Sequence, residues 1–462
     1  MEAFETDGLF WLPGRSEETI GGRINFDPVK GVKLSLIGSF SDSEFSDDLD
    51  DGPDQSIIHG VAGKRFLMLL DCRVISSRFD FPGFKRDDHR AGFMLASRSP
   101  LDPDELKIER VSFSLSNMFD WVGLVPVSRN FHVDEETGRL IDYSLTLTPP
   151  SPVEHDASGC KISISGTWKV LGGKQNPGFE SGFSLDIHYE TPADFSTARS
   201  DVSVLQDLVT ATAGSVAFPT KIVLRIPGVD EGEPVKIDAQ LYGAQVAQPS
   251  EKRRKSSDML LTLQQIGGLS AVARWFDFLR SRRVVLGLML SSVYNGALYT
   301  ENKFFNAVSA AETLHRMEFP NEVRPAAEYK AFKRLLAGYV PEEHQRWLMD
   351  QLAYSNEPRL RQRLIDLAEF SGLADVIGCD AELWAKAVTN ARNRMVHHDE
   401  KRGRGAKSSE LYWLSESLKI LTLLCLARFC EFQDGCKDIL SENDSVAFMA
   451  EQVAQIVGGR DT

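Results

Sequence analysis

The chain is short of the features that announce a chemistry by themselves. Its six cysteines, Cys72, Cys160, Cys379, Cys425, Cys430 and Cys436, are scattered and form no CxxC pair. In an intracellular chain of this size that pattern reads as reduced, structural thiols. Cys425, Cys430 and Cys436 do lie close together, but their spacings do not stack on one helical face and no His is nearby in sequence, so a metal site there is the minor alternative. Long apolar runs are missing too. The best, 284–299, is broken by Ser291, Ser292, Asn295 and Gly296, which excludes a membrane span and suits a buried helix. The start, Met1-Glu2-Ala3-Phe4-Glu5, is acidic and has no apolar segment, so no secretory signal is expected and a cytoplasmic location is. Positive charge is in deficit: 52 Lys and Arg face 66 Asp and Glu, for a net charge of -14. Indiscriminate nucleic-acid binding needs phosphate neutralisation by Lys and Arg, so an RNA-directed enzyme here would depend on a local basic patch and be selective or held off until triggered. No phosphate-cradling glycine loop is found either. Gly172-Gly173-Lys174-Gln175 has Trp168 at the required first glycine and Gln175 in place of Ser or Thr, and Gly63-Lys64 fails likewise.

What is present is an ordinary globular composition, 42% hydrophobic and 26% charged, over 462 residues, enough for several domains. Residues 1–245 show short β-rich runs between Gly, Pro, Asn and Asp punctuation, at 22–26, 32–38, 64–71, 108–115, 140–147, 161–170, 183–189 and 221–226. One helical pattern, 196–213, interrupts them with Val202, Leu205, Leu208 and Val209 at helical spacing. The acidic stretch 42–54 has little to bury and reads as a mobile loop. Residues 246–257 are polar and basic and read as a linker whose cations either touch phosphate or are simply solvated. From 258 to 462 the period is helical, with helices expected at 258–266, 269–280, 283–299, 301–318, 324–337, 341–353, 357–371, 381–398, 408–432 and 443–457. The expected architecture is therefore multi-domain: a β-rich α+β domain followed by an all-α bundle.

The sharpest local pattern is Asn390-Ala391-Arg392-Asn393-Arg394-Met395-Val396-His397-His398, at the end of the pattern 381–398. The RNxxxH arrangement sets a fixed cation, an amide and a titratable imidazole within about two helical turns. Those groups suffice to cut RNA without a metal: an acid or base for the 2′-hydroxyl and leaving oxygen, and a cation for the phosphorane. Leu383, Ala387, Val388, Ala391 and Met395 form the expected apolar stripe. Asn393 and His397, four apart, share a face. Arg392 lies about 140° round from His397 in an ideal helix, so the pair converges only near a helix end or across two symmetry-related helices. The spacing thus predicts a composite cleft built by dimerisation. Trp384 and Trp413 beside the motif suit core packing better than base stacking. His89, His132, His155 and His188 are isolated and read as surface or packed histidines.

With these residues in place, the helical half resembles a HEPN (higher eukaryotes and prokaryotes nucleotide-binding) domain, whose ribonuclease members carry Arg, four to six residues, then His. Arg392 and His397 fit, and Asn393 matches the Asn that often follows the Arg. The segment Phe304-Phe305-Asn306-Ala307-Val308-Ser309-Ala310-Ala311-Glu312-Thr313-Leu314-His315-Arg316 is similar to the earlier HEPN helix, and Glu312 takes its acidic cleft position; a solvated carboxylate is the competing reading. His398 departs from the family pattern, leaving open which imidazole carries the proton. The first half resembles the N-terminal domain of ApeA-type anti-phage proteins through Gly8-Leu9-Phe10-Trp11-Leu12-Pro13, Gly21-Gly22-Arg23-Ile24-Asn25-Phe26 and Ile57-Ile58-His59-Gly60. Phe66-Leu67-Met68-Leu69-Leu70-Asp71-Cys72 and Val111-Ser112-Phe113 leading to Trp121 continue the resemblance in order.

The resemblance implies a defence effector whose helical domain is a metal-independent endoribonuclease needing no cofactor. Arg392, Asn393 and His397 are the expected catalytic residues, with Glu312 and His398 at the cleft. The expected products carry a 2′,3′-cyclic phosphate and a 5′-hydroxyl, and DNA is not cut. Arg394, Lys401, Arg402, Arg404 and Lys407 are the expected RNA-binding cations, with an exposed interhelical loop as the bland reading of 401–407. Transfer RNA is one candidate substrate. A homodimer or higher oligomer and a phage-encoded protein trigger are the implied partners, with growth arrest as the outcome and no membrane involved. The alternative is a non-catalytic dimeric interaction module or a nucleotide-binding one.

Overall fold

A computed structural model describes residues 1–40, 56–79, 83–173, 178–230, 233–245, 254–396 and 407–459. The acidic stretch 42–54, most of the linker, the basic residues 401–406, and His397 and His398 lie outside the described residues. The chain divides into two compact units, Met1–Arg280 and Ser281–Thr462.

The first unit is built on β1 (Phe4–Trp11), β2 (Ile20–Asp27), β3 (Gly31–Leu36), β4 (Ile57–Ala62), β5 (Arg65–Leu70), β6 (Arg73–Phe79), β7 (Lys85–Ala91), β8 (Phe93–Ser97) and β9 (Lys107–Leu115). After α1 (Met118–Val122) come β10 (Val127–Val133), β11 (Leu140–Leu147), β12 (Val153–Ala157), β13 (Cys160–Leu171) and β14 (Gly178–Asp194). Then follow α2 (Phe195–Ala213), β15 (Pro219–Asp230) and β16 (Glu233–Gly243). Fourteen strands form one sheet in the order β12-β13-β14-β9-β15-β16-β8-β5-β4-β1-β2-β3-β7-β6, while β10 and β11 form a separate ribbon.

Alternation explains the legible strands. In β2, Ile24 and Phe26 are buried, joining Phe10, Leu34, Ile58 and Leu69 in one core. Their neighbours Arg23 and Asn25 face outward and pair across the register with Asp7 and Glu5, at 2.7 and 3.2 Å. Gly63 and Lys64 both have positive φ, 57° and 65°, and join β4 to β5. A two-residue type I′ hairpin requires that geometry, so the segment is a turn. The strand β7 escapes the hydrophobic pattern because its buried positions include Asp87 and His89. Asp87 accepts a hydrogen bond from Ser77 Oγ at 2.7 Å.

The helix α2 begins at Asp194, whose carboxylate accepts from Thr197 N at 2.7 Å, and that bond holds its pKa down at about 2. It ends at Gly214, where φ is 65° and a Cβ would meet Arg254 Nη1 at 2.8 Å. Arg254, from the basic run, donates to Ala213 O at 2.6 Å, a cation at the negative end of the helix.

The expected helix 258–266 is mostly not helical: a single 3-10 turn at Ser256–Asp258 precedes α3 (Leu263–Ile266). Gln265 Oε1 accepts from Thr262 N at 2.8 Å in a capping box that starts the helix late. α3 and α4 (Leu269–Leu279), which helical period groups with the second half, belong to the first unit. The reason is side-chain bonding. Trp275 is fully buried and its indole donates to Val204 O at 3.1 Å. Arg280 grips the buried Asp201 through Nε and Nη2, at 2.9 and 3.0 Å.

The second unit contains α5 (Arg283–Tyr294), α6 (Thr300–Glu318), α7 (Ala326–Gly338), α8 (Glu342–Gln351) and α9 (Leu360–Ser371). It continues with α10 (Leu373–Ile377), α11 (Ala381–Val396), α12 (Ser408–Phe429), α13 (Cys436–Glu442) and α14 (Asp444–Gly458). The helix α12 is apolar nearly all round and packs against α6, α9 and α14, which makes it the axis of the bundle. α7 and α8 pack on each other and bury little besides Tyr329. The helix expected over 283–299 stops at Tyr294, with Asn295 as its C-cap; within it, α5 buries Val285, Leu286, Met289 and Leu290. No described helix is long and apolar enough to cross a membrane.

Candidate active site

The RNxxxH segment sits on α11. Its start is fixed by Asp380, whose carboxylate accepts from Leu383 N at 2.9 Å. The stripe that packs is Trp384, Ala385, Ala387, Val388 and Ala391, all buried. Leu383, expected on that stripe, is 41% exposed. The helix turns the larger Trp384 into the bundle instead, where its indole donates to Ser417 Oγ of α12 at 3.0 Å. Trp413 is half-buried, edge-on to Tyr412 and Phe448.

Arg392 stands four residues beyond Val388 and so emerges at the edge of the buried stripe, half-buried. It makes no hydrogen bond or ion pair with any described residue. Asn393 is exposed and likewise uncommitted among the described residues. Arg394 differs. Its Nη2 donates to Glu410 Oε1 at 2.8 Å, tying the last turn of α11 to the first turn of α12. Lys407 caps the start of α12 with an extended backbone and an exposed side chain. A cation there opposes the helix dipole, so it contributes nothing to helix stability. His397, His398, Lys401, Arg402 and Arg404 lie outside the described residues.

Glu312 lies on α6, paired with Arg316 at 3.2 Å, and Arg316 reaches Glu357 at 2.9 Å. No hydrogen bond or ion pair among the described residues joins Glu312 to Arg392 or Asn393. Glu312 instead belongs to a polar network that the sequence does not reveal. His315, one turn further along α6, is fully buried between two residues of α9. Its Nδ1 faces Arg363 Nη1 at 2.9 Å and its Nε2 faces Asp366 Oδ2 at 2.9 Å. Arg363, also fully buried, donates in addition to Asn321 Oδ1 at 2.6 Å and Pro358 O at 3.0 Å. A guanidinium has no lone pair to offer, so His315 Nδ1 must accept and Nε2–H must donate to Asp366. Burial pushes the His315 pKa down, and the adjacent Arg363 cation acts in the same direction against the pull of Asp366. His315 is thus held neutral in one tautomer. The only sequence sign was its place one turn after Glu312; its partners lie 48 and 51 residues away.

Cys425, Cys430 and Cys436 are buried free thiols, with burial pushing Cys425 up to about 12 and Cys436 to about 11. Cys425 donates to Leu367 O at 3.6 Å. Among the described residues no three His, Cys, Asp or Glu side chains form a group that could hold a metal.

Two family models match the chain. ApeA N-terminal domain 1 matches residues 5–275, and Apea-like HEPN matches residues 305–436. The first match runs into α4, where the side-chain bonds of Trp275 also place that helix; the second contains most of α6, all of α9 and α11, and the network around His315. No curated protein and no solved structure matches. HEPN domains are typically nuclease-like and commonly dimerise.

Proposed function

The chain belongs to the ApeA family of defence-related HEPN proteins, and on that premise we propose that its second unit is a metal-independent endoribonuclease. The observation that carries this reading is Arg392: a half-buried cation at the closing turns of α11, beside exposed Asn393, with no partner among the described residues. Arg363 and the neighbouring Arg394, by contrast, are held by partners within the bundle. A cation with no partner among the described residues, beside an amide and five residues before a histidine, suits charge on a phosphorane.

In the proposed reaction the ribose 2′-oxygen attacks the phosphorus and the bond to the 5′-oxygen breaks. His397 takes the 2′-hydroxyl proton or delivers one to the leaving oxygen, Arg392 neutralises the phosphorane oxygens, and Asn393 orients the imidazole or the phosphate. Because Arg392 and His397 diverge on one helix, two copies of α11 would complete the cleft, in keeping with the dimerisation common among HEPN domains. Lys407 would hold the RNA backbone, with Lys401, Arg402 and Arg404. The first unit would restrain the nuclease until a phage-encoded protein appears, and cleavage, with transfer RNA as a candidate target, would halt growth.

The test is product chemistry. Purified protein incubated with RNA in excess EDTA should leave 2′,3′-cyclic phosphate and 5′-hydroxyl ends, read by mass spectrometry, and an oligonucleotide with 2′-deoxyribose at the cut site should survive. Loss of all cleavage in EDTA, or cleavage of the deoxy substrate, would overturn the mechanism.

A further inference from the structure

The second unit also holds a groove of about 970 Å³. Its floor is apolar: Phe319 at the end of α6, Ile365 and Phe370 of α9, and Val323 of the following loop. Phe319 and Phe370 meet edge to face, with centroids 5.4 Å apart. The walls are acidic. Glu322, Glu357, Asp366, Glu369 and Glu382 line it, against only Arg359 and Arg361. Arg361 is turned to Glu382 at 3.4 Å. Glu322 and Glu369 are both exposed, and neither makes a hydrogen bond or ion pair with any described residue.

This groove does not suit RNA, whose phosphates would meet the carboxylates of Glu322 and Glu369, which have no partner among the described residues. It is also remote from the motif along α11, since Glu382 lies in the first turn and Arg392 ten residues on, about 15 Å at helical rise. An apolar floor beside those two carboxylates has the character of a helix- or strand-binding groove for a basic amphipathic segment. We propose that it is a docking site for a partner protein, through a segment in which arginines or lysines alternate with apolar residues. The apolar side chains would cover Phe319 and Phe370, and the cations would pair with Glu322 and Glu369. Two wall carboxylates, Glu357 and Asp366, also hold Arg363 and His315. A cation entering the groove therefore competes for the bonds that tie α6 to α9. The inference does not rest on the nuclease reading.

The test is a dodecapeptide display selection on the full chain, run in parallel on the E322K/E369K variant. Neither carboxylate has a described partner, so the variant should keep the wild-type melting temperature. Wild-type protein should enrich peptides carrying Arg or Lys among Leu and Phe, and a synthesised winner should bind the variant at least tenfold more weakly while binding R392A unchanged. Four results would overturn the proposal: no enrichment on the wild type, winners without basic residues, equal binding to wild type and variant, or displacement of the peptide from R392A by a single-stranded oligoribonucleotide, which would assign the groove to RNA.

Discussion

His315 and Arg363 meet through a hydrogen bond of 2.9 Å in which the guanidinium donates and the imidazole accepts. A protonated His315 would turn an N–H toward a buried cation. The contact therefore exists only with the neutral ring, and it locks α6 to α9 in a way that acid undoes.

The sign follows from the lowered pKa. Below about 6.5 an unfolded histidine gains a proton that folded His315 resists, so acidification favours unfolding and stability falls until the folded pKa is passed. His59, His89 and His188 of the first unit are lowered by burial as well and act in the same direction. The urea midpoint of the second unit should therefore drop between pH 7.5 and 5.5, and H315Q should flatten that dependence while leaving the first unit's dependence intact. An equal slope in H315Q and wild type would remove His315 from the account.

Arg363 is a buried cation bonded to His315, Asn321, Pro358 O and Glu357. Removing it with R363L strands His315 Nδ1 and Asn321 Oδ1, and losing one member of such a buried set typically costs about 3–5 kcal/mol. Chemical denaturation should show that loss. By contrast R361A, which removes only an exposed pairing with Glu382, should change stability by about 1 kcal/mol or less.

At the motif, stability and activity should separate. Arg392 bonds to nothing described, so R392A should melt within about a degree or two of wild type. Cleavage should fall by roughly 10²–10³, the range seen when one charge-stabilising donor is lost. H397A should lose about 10²–10⁴ as a general acid–base group, and H398A much less. Mixing R392A with H397A should restore part of the activity if two copies of α11 share one cleft. Full activity in both single variants would leave a non-catalytic dimeric module as the remaining reading.

Asp201 is buried and held by Arg280 and Tyr189, at 2.9 and 3.0 Å. A fragment ending at residue 280 should unfold cooperatively. One ending at 257 loses Trp275 and Arg280, takes the two guanidinium bonds away from buried Asp201, and should be insoluble or melt far lower. R280A in the full chain should cost about 3–5 kcal/mol by the same argument, read by urea denaturation of the first unit.

Legibility followed how local the cause was. β2 could be seen because Ile24 and Phe26 alternate with Arg23 and Asn25; β7 could not, because its inward row holds Asp87 and His89. Of the proposed site, Arg392 and Asn393 were legible as a spacing on one helix. Arg394 read as an RNA cation, yet it spends its charge on Glu410, a partner whose position depends on how α12 packs.

The amino-acid sequence by itself determined the change from twofold to helical period, the family and the RNxxxH spacing, since each is written within a few turns or strands of chain. Tertiary structure alone decided that α4 joins the β-rich unit, because Trp275 bonds to Val204, 71 residues earlier. It alone decided that His315 is a neutral tie between helices, and that five carboxylates line one groove with Phe319 and Phe370. Those outcomes depend on desolvation and on partners brought together by packing, and no local pattern encodes either.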